Sequence, residues 1–126
     1  MSKRQVFILS FLVLGLAACA TSSERHVKRG YRYLSSGQLV NAEREFRKAV
    51  QKDRENPQAH FGLGYAYFRE NELDKAIFTY KQGIMIDPDD SDSHYYLGLI
   101  YNEKNMRKDA REEFKLFEKL KRSRSR

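Results

Sequence analysis

Few side chains in this 126-residue sequence are of types that do chemistry. Cys19 is the single cysteine, which excludes an internal disulfide and leaves one thiol available for alkylation or acylation. Three histidines, His26, His60 and His94, are spaced 34 residues apart. At that interval they fall on successive structural units, roughly 10 Å apart, too far to share one zinc. Each is read as a histidine packing in the seam between successive units. Asp87, Asp89 and Asp90 cluster around Pro88, but the run lacks the glycine and the distal glutamate of a calcium loop. It reads as a turn whose acids face the positive end of a following helix. There is no Ser/His/Asp order, glycine-rich phosphate loop or metal-spaced cluster. No catalytic residue, metal or cofactor is therefore expected, and an enzyme is the disfavoured reading.

The interval of the histidines leads to the elements that carry them. Pro57 to Pro88 reads as two amphipathic helices broken at Arg69-Glu70-Asn71-Glu72. Leu63-Gly64-x-x-Tyr67 lies on the first, and Ala76 with Tyr80 on the second. Thirty-four residues forward stand Leu97-Gly98-x-x-Tyr101 and Ala110 with Phe114. Thirty-four back stand Arg29-Gly30-x-x-Tyr33 and Ala42 with Phe46. Small residues let helices approach, and the large ones fill the space around each approach. Gly37 suits a left-handed helix cap, and Asn56-Pro57 suits a helix start. The pattern resembles the tetratricopeptide repeat (TPR) family, with Pro88 as the closing proline of the second unit. The resemblance implies an all-α solenoid of three helix-turn-helix hairpins at about 23–56, 57–90 and 91–124. Arg29 in place of leucine, histidine three residues before each Leu/Arg position, and a missing third proline depart from the family pattern.

Before the repeats, Lys3-Arg4 precede an apolar run from Val6 to Leu16. A basic head and a short apolar segment describe a secretory signal peptide, too short for a comfortable membrane span. Leu16-Ala17-Ala18-Cys19 resembles the bacterial lipobox. That resemblance implies cleavage after residue 18, lipid (diacylglycerol and palmitate-type acyl chains) on Cys19 and, with Ala20 rather than Asp beside it, an outer-membrane address facing the periplasm. More than one acyl chain is needed for stable anchoring. The expected organisation is a signal peptide over 1–18, a lipidated tether over 19–23, repeats over 24–121 and a basic tail over 122–126.

Within the resemblance, the first helix of each hairpin lines a concave face. Val27, Tyr31, Phe61, Tyr65, Arg69, Tyr95, Leu99 and Asn102 fall on it. An apolar and aromatic patch of this kind marks a partner site. Val27, Tyr31, Phe61 and Tyr65 stand in place of the lysine and asparagine that hold acidic C-termini in some TPR domains, so an apolar peptide or helix is the expected ligand. Phe117 and Leu120 on the last helix lack obvious partners and form a second candidate surface. The net charge of +7 falls to +5 without Lys3 and Arg4, and the excess lies near the C-terminus. With an export signal, nucleic acid is not the expected partner. The family resemblance implies a membrane-anchored interaction scaffold, a monomer or weak dimer, assisting assembly of an envelope complex such as a pilus or secretion system. The alternative is an adaptor docking peptidoglycan enzymes.

Overall fold

The computed structural model describes residues 2–126, except the side chains of Leu16, Ala17, Cys19 and Ala20. The lipidation expected at Cys19 therefore falls outside the described side chains. Six α-helices follow in order: α1 (Lys3–Ser35), α2 (Leu39–Lys52), α3 (Pro57–Arg69), α4 (Leu73–Ile86), α5 (Ser91–Glu103) and α6 (Arg107–Arg124). They form three antiparallel hairpins, α1/α2, α3/α4 and α5/α6, stacked so that each packs on the next. The all-α solenoid expected from the 34-residue period is the fold.

The bends between paired helices share one device. Gly37, Asn71 and Asn105 are 34 residues apart and all adopt left-handed backbone, with φ of 72°, 62° and 59°. Each follows a helix whose last carbonyls accept from the turn, as in Gln38 N to Tyr33 O at 2.9 Å, Glu72 N to Tyr67 O at 2.9 Å and Met106 N to Tyr101 O at 2.8 Å. This is the six-to-one closure of a helix C-terminus, which needs glycine or asparagine at its left-handed residue. The turns between hairpins use side-chain caps instead. Asn56 Oδ1 accepts from Gln58 N at 3.1 Å, and Asp90 Oδ2 from Ser93 N at 2.9 Å. Pro57 takes the first helical position, where its missing N–H leaves nothing unpaired.

Two boundaries differ from expectation. α1 does not begin near residue 24 but runs unbroken from Lys3. Thr21, Ser22 and Ser23 are helical rather than a free tether, because nothing between Ala17 and Glu24 breaks a helix. Ser23 is fully buried, its Oγ donating to Ala49 O at 2.9 Å and accepting from Asn56 Nδ2 at 2.9 Å. One hydroxyl thus joins α1, α2 and the cap of α3. At the other end α6 continues to Arg124, so most of the expected tail is helix. Upstream of the hairpins, the side chains of Phe7, Phe11 and Leu14 on α1 stand in solvent. Among the described residues no helix is long and apolar enough to cross a membrane.

The core is the continuous seam between helices. Ala42, Phe46, Ala49, Ala59, Ala66, Ala76, Tyr80 and Leu97 are almost wholly enclosed. Phe46, Tyr80 and Phe114 occupy one register, each against a glycine of its own hairpin: Gly30, Gly64 and Gly98. A Cβ at Gly30 would lie 2.6 Å from the Phe46 ring and one at Gly98 2.7 Å from Phe114, so only glycine admits these rings. The histidines are structural: His26 and His94 tie the two helices of a hairpin together, and His60 and His94 also hold the turn that leads in from the preceding hairpin. His94 Nδ1 meets Glu113 Oε2 at 2.7 Å, and its Nε2 donates to Pro88 O at 2.9 Å. His26 Nδ1 meets Glu45 Oε2 at 2.7 Å. His60 keeps the turn contact, to Arg54 O at 2.8 Å, but Thr79 stands where the other hairpins have glutamate.

The expected bare end of α6 is also partly covered. The Phe117 ring packs on Tyr95 with centroids 5.2 Å apart, and Lys121 Nζ lies 5.5 Å from its centroid. Phe117 and Leu120 are half-buried. Among the described residues no three His, Cys, Asp or Glu side chains come close enough to hold a metal.

Candidate functional site

The two joints between hairpins are built differently, and the difference makes a cavity. At the first joint Gly62 of α3 presses directly on the Phe46 ring, with no room for a Cβ. Thirty-four residues on, the same register holds Tyr96. Its ring lies nearly parallel to Tyr80, at 12°, with centroids 6.1 Å apart. A large ring in place of a hydrogen atom keeps the α5 backbone away from Tyr80. The space left is a cleft of about 460 Å³, reaching from α1 across α3 to α5.

Five aromatic rings wall it: Tyr31 from α1, Phe61 and Tyr65 from α3, Tyr80 from α4 and Tyr96 from α5. Tyr65 and Tyr96 meet edge to face at 5.1 Å, a favourable arrangement of ring quadrupoles. Tyr31 is edge-on to Phe46 at 5.1 Å and remains 42% exposed. Gln58, Asp90, Asp92, Ser93 and Arg69 supply polar atoms at the rim. Arg69 is already committed to the wall, with Nη1 donating to Tyr65 Oη at 3.1 Å and its guanidinium 5.8 Å above that ring's centroid.

Tyr80 stands apart. It is 1% exposed, lines the cleft, and its Oη has no hydrogen-bond partner among the described residues. A buried hydroxyl without a partner costs about 1–3 kcal/mol, so such a group calls for an explanation. Burial raises the pKa of Tyr80, and tyrosines Tyr96, Tyr31 and Tyr65 with Asp90 add to the rise. Burial and then Asp90 and Asp92 raise Tyr31. Burial, then Tyr65 and Asp92, raise Tyr96.

Of the eight residues assigned to the groove from sequence, Tyr31, Phe61, Tyr65 and Arg69 come together here. The other four do not line the cleft. Val27 is in the core, as is most of Phe61, because the concave face turns these positions inward; Phe61 shows only one wall. The Tyr95 ring packs against Phe114 and Phe117 of α6 instead. Leu99 is half-buried and Asn102 exposed, both away from the cleft. Sequence reasoning missed Tyr96, the Tyr80 hydroxyl and the two carboxylates. The signal for Tyr96 was present: it is the one place where the 34-residue period exchanges glycine for tyrosine.

No curated protein matches the sequence. Solved structures do. MamA superposes with a TM-score of 0.77 at 25% identity, over 84% of this chain, and this chain spans 62% of MamA's length. The second TPR of Spaghetti (RPAP3), described with HSP90 peptide SRMEEVD bound, has a TM-score of 0.76 at 17% identity, covering 79% of this chain and 92% of that one. The Yersinia enterocolitica type III secretion translocator chaperone SycD gives 0.75 at 19% identity, covering 79% of this chain and 76% of its own. The last two likenesses are of fold. The family description "Tetratricopeptide repeat" matches residues 33–100, more than half of the sequence. With the same 34-residue register visible in its turns, glycines and histidines, the chain belongs to the tetratricopeptide repeat family.

Proposed function

We propose that this protein is an interaction scaffold that holds a peptide segment of a partner protein in the aromatic cleft, and that lipid on Cys19 anchors it in the cell envelope. The observation that carries the scaffold reading is the cleft itself: five rings from four helices converge on a space open to solvent. Recognition by a few aromatic anchors in a preformed groove is how such surfaces bind. A protein of the same fold is described with a peptide bound, so the architecture is able to hold one.

The anchor reading rests on sequence. Lys3-Arg4, the apolar run and Cys19 stand in the order of a lipoprotein leader. The exposed Phe7, Phe11 and Leu14 side chains give that segment nothing to pack on within the chain. We place the protein at the outer membrane facing the periplasm, assisting assembly of an envelope machine such as a pilus or secretion system. Tyr31→Ala with Tyr65→Ala, made together, is expected to abolish partner capture in crosslinked membranes while helix content by circular dichroism stays near that of wild type. Capture that survives the pair rejects the cleft as the site. Labelling with a clickable palmitate analogue tests the anchor: Cys19→Ser is expected to lose both label and membrane sedimentation, and wild-type labelling of that variant rejects it.

A further inference from the structure

The cleft is acidic within a basic protein. The chain carries +7 overall, yet the charged residues of the cleft are Asp90, Asp92 and Arg69, a balance of −1. The two carboxylates are without ionic partners: among the described residues neither joins an ion pair. Asp90 spends Oδ2 on capping α5, accepting from Ser93 N at 2.9 Å and Ser93 Oγ at 2.6 Å. Its second oxygen and both oxygens of exposed Asp92 accept nothing in the structure. The same cleft is lined by the aromatic wall and by Tyr80, whose buried Oη has no partner among the described residues. Arg69, stacked on Tyr65, shows that a guanidinium suits the faces of these rings.

Aromatic faces, unpaired carboxylates and a free hydroxyl acceptor are complementary to a cation that also carries N–H donors. They do not suit a carboxylate, which would meet the acids at the rim, and an apolar side chain would leave Tyr80 Oη unpaired. We infer that the cleft takes the arginine or lysine side chain of an extended partner peptide, stacked between Tyr31 and Tyr65/Tyr96, paired with Asp92 and Asp90, and donating to Tyr80 Oη. This deepens the peptide-cleft reading above and rests on it. The preference is opposite in charge to the peptide described with the Spaghetti domain, whose sequence SRMEEVD carries three acids.

The test is selection of random decapeptides on the full chain in non-ionic detergent, with parallel selections on Asp92→Lys and on the Tyr31→Ala/Tyr65→Ala pair. Asp92 is exposed in the first turn of α5 and accepts no hydrogen bond among the described residues, so its replacement costs the fold only the interaction with the helix dipole. The expected result is enrichment of arginine or lysine at one peptide position, lost on Asp92→Lys and on the tyrosine pair. By fluorescence anisotropy, the best peptide is expected to bind about tenfold more weakly when its cation is replaced by norleucine, and several-fold more weakly to Tyr80→Phe. Enrichment of apolar residues alone, or equal binding of the norleucine copy, overturns the cation assignment and leaves the cleft reading standing. Enrichment of acidic residues overturns the assignment through the sign of the field. Peptides recovered equally on the tyrosine pair, or none on any form, overturn the cleft reading and the cation with it.

Discussion

Replacing Gly62 by alanine is expected to loosen the array, although alanine is the better helix former. Phe46 is wholly enclosed and held on both sides, by Gly30 of α1 and Gly62 of α3. A methyl group at residue 62 would overlap the ring; even the Phe46 Cζ would lie only 2.6 Å from it. Retreat is limited, because Gly30 meets the same Cδ1, Cε1 and Cζ atoms of the ring, where a Cβ would lie 2.6 Å away. Overpacking of this kind costs about 1–3 kcal/mol. The helix-propensity gain of Gly→Ala returns about 1 kcal/mol. The net loss is therefore up to about 2 kcal/mol, or a fall of up to about 15 °C in the melting midpoint for a domain of this size. Gly64→Ala supplies the control. There a Cβ would lie 3.0 Å from Tyr80 Cδ2, and the cleft beside Tyr80 lets its ring yield. That change should be within about 0.5 kcal/mol of neutral. Circular-dichroism melts of the full chain in mild detergent measure both. If Gly62→Ala melts at or above the wild-type midpoint, or Gly64→Ala falls further than Gly62→Ala, the assignment of Phe46 as the tight joint is wrong. Adding Phe46→Leu to Gly62→Ala should recover part of the loss, which double-mutant analysis would read directly.

Two further outcomes are expected. Asn71→Ala should lower stability by about 1 kcal/mol, since a side chain without asparagine's local hydrogen bonding tolerates left-handed backbone poorly, whereas Asn71→Gly should be close to neutral; thermal melts that rank alanine above glycine would refute the turn geometry. Stability should also fall in the alkaline direction. The Glu113 hydrogen bond, outweighing burial and helped by Pro88 O, raises His94 above its ordinary value near 6.5. A raised folded-state pKa contributes stability fully below that ordinary value and loses it as pH climbs through the raised one. On the acid side, burial alone would raise Glu45, but hydrogen bonds from His26 and Lys48 hold it below its ordinary value near 4.5, so its contribution is present above that value and fades as pH falls through the lowered one. Urea titrations from pH 4 to 9 should show a maximum between these limits, and His94→Gln should flatten the alkaline limb; an unchanged limb would remove His94 as its source.

The fold could be read from the sequence because its signals are local and repeated. Leu63-Gly64, Leu97-Gly98 and the paired alanines report helix approach within one hairpin, and three copies in phase fix where each hairpin lies. The site was less legible because it depends on an exception. Tyr96 looks like one more aromatic until its register partner, Gly62, is set beside it. Val27 and Phe61 have the composition of a groove, but burial is decided by how far the next hairpin turns, which a single helix does not encode. Tyr95 was drawn to α6 by Phe117, a pairing 22 residues away in sequence that neither residue announces. The start of α1 was misplaced for a simpler reason. Thr21-Ser22-Ser23 are common at helix ends, yet here Ser23 turns its hydroxyl inward to Ala49 and the helix runs on.

The unequal joints have a mechanical consequence. Phe46 clamped between two glycines makes the first and second hairpins a single stiff block. Between the second and third hairpins, Tyr96 substitutes a ring contact beside an open cleft for close backbone approach, so less of that joint is held by direct packing. The array is therefore softest where it is hollow, and the third hairpin is the part free to rock against the rest. Anything seated in the hollow touches both sides of that hinge at once. Such a ligand would act as mortar, raising the stability of the third hairpin more than that of the first two by mass action on the closed form. In amide hydrogen exchange, occupancy should slow α5 and α6 while leaving α2 nearly unchanged, so that the partner completes the solenoid mechanically as well as occupying it.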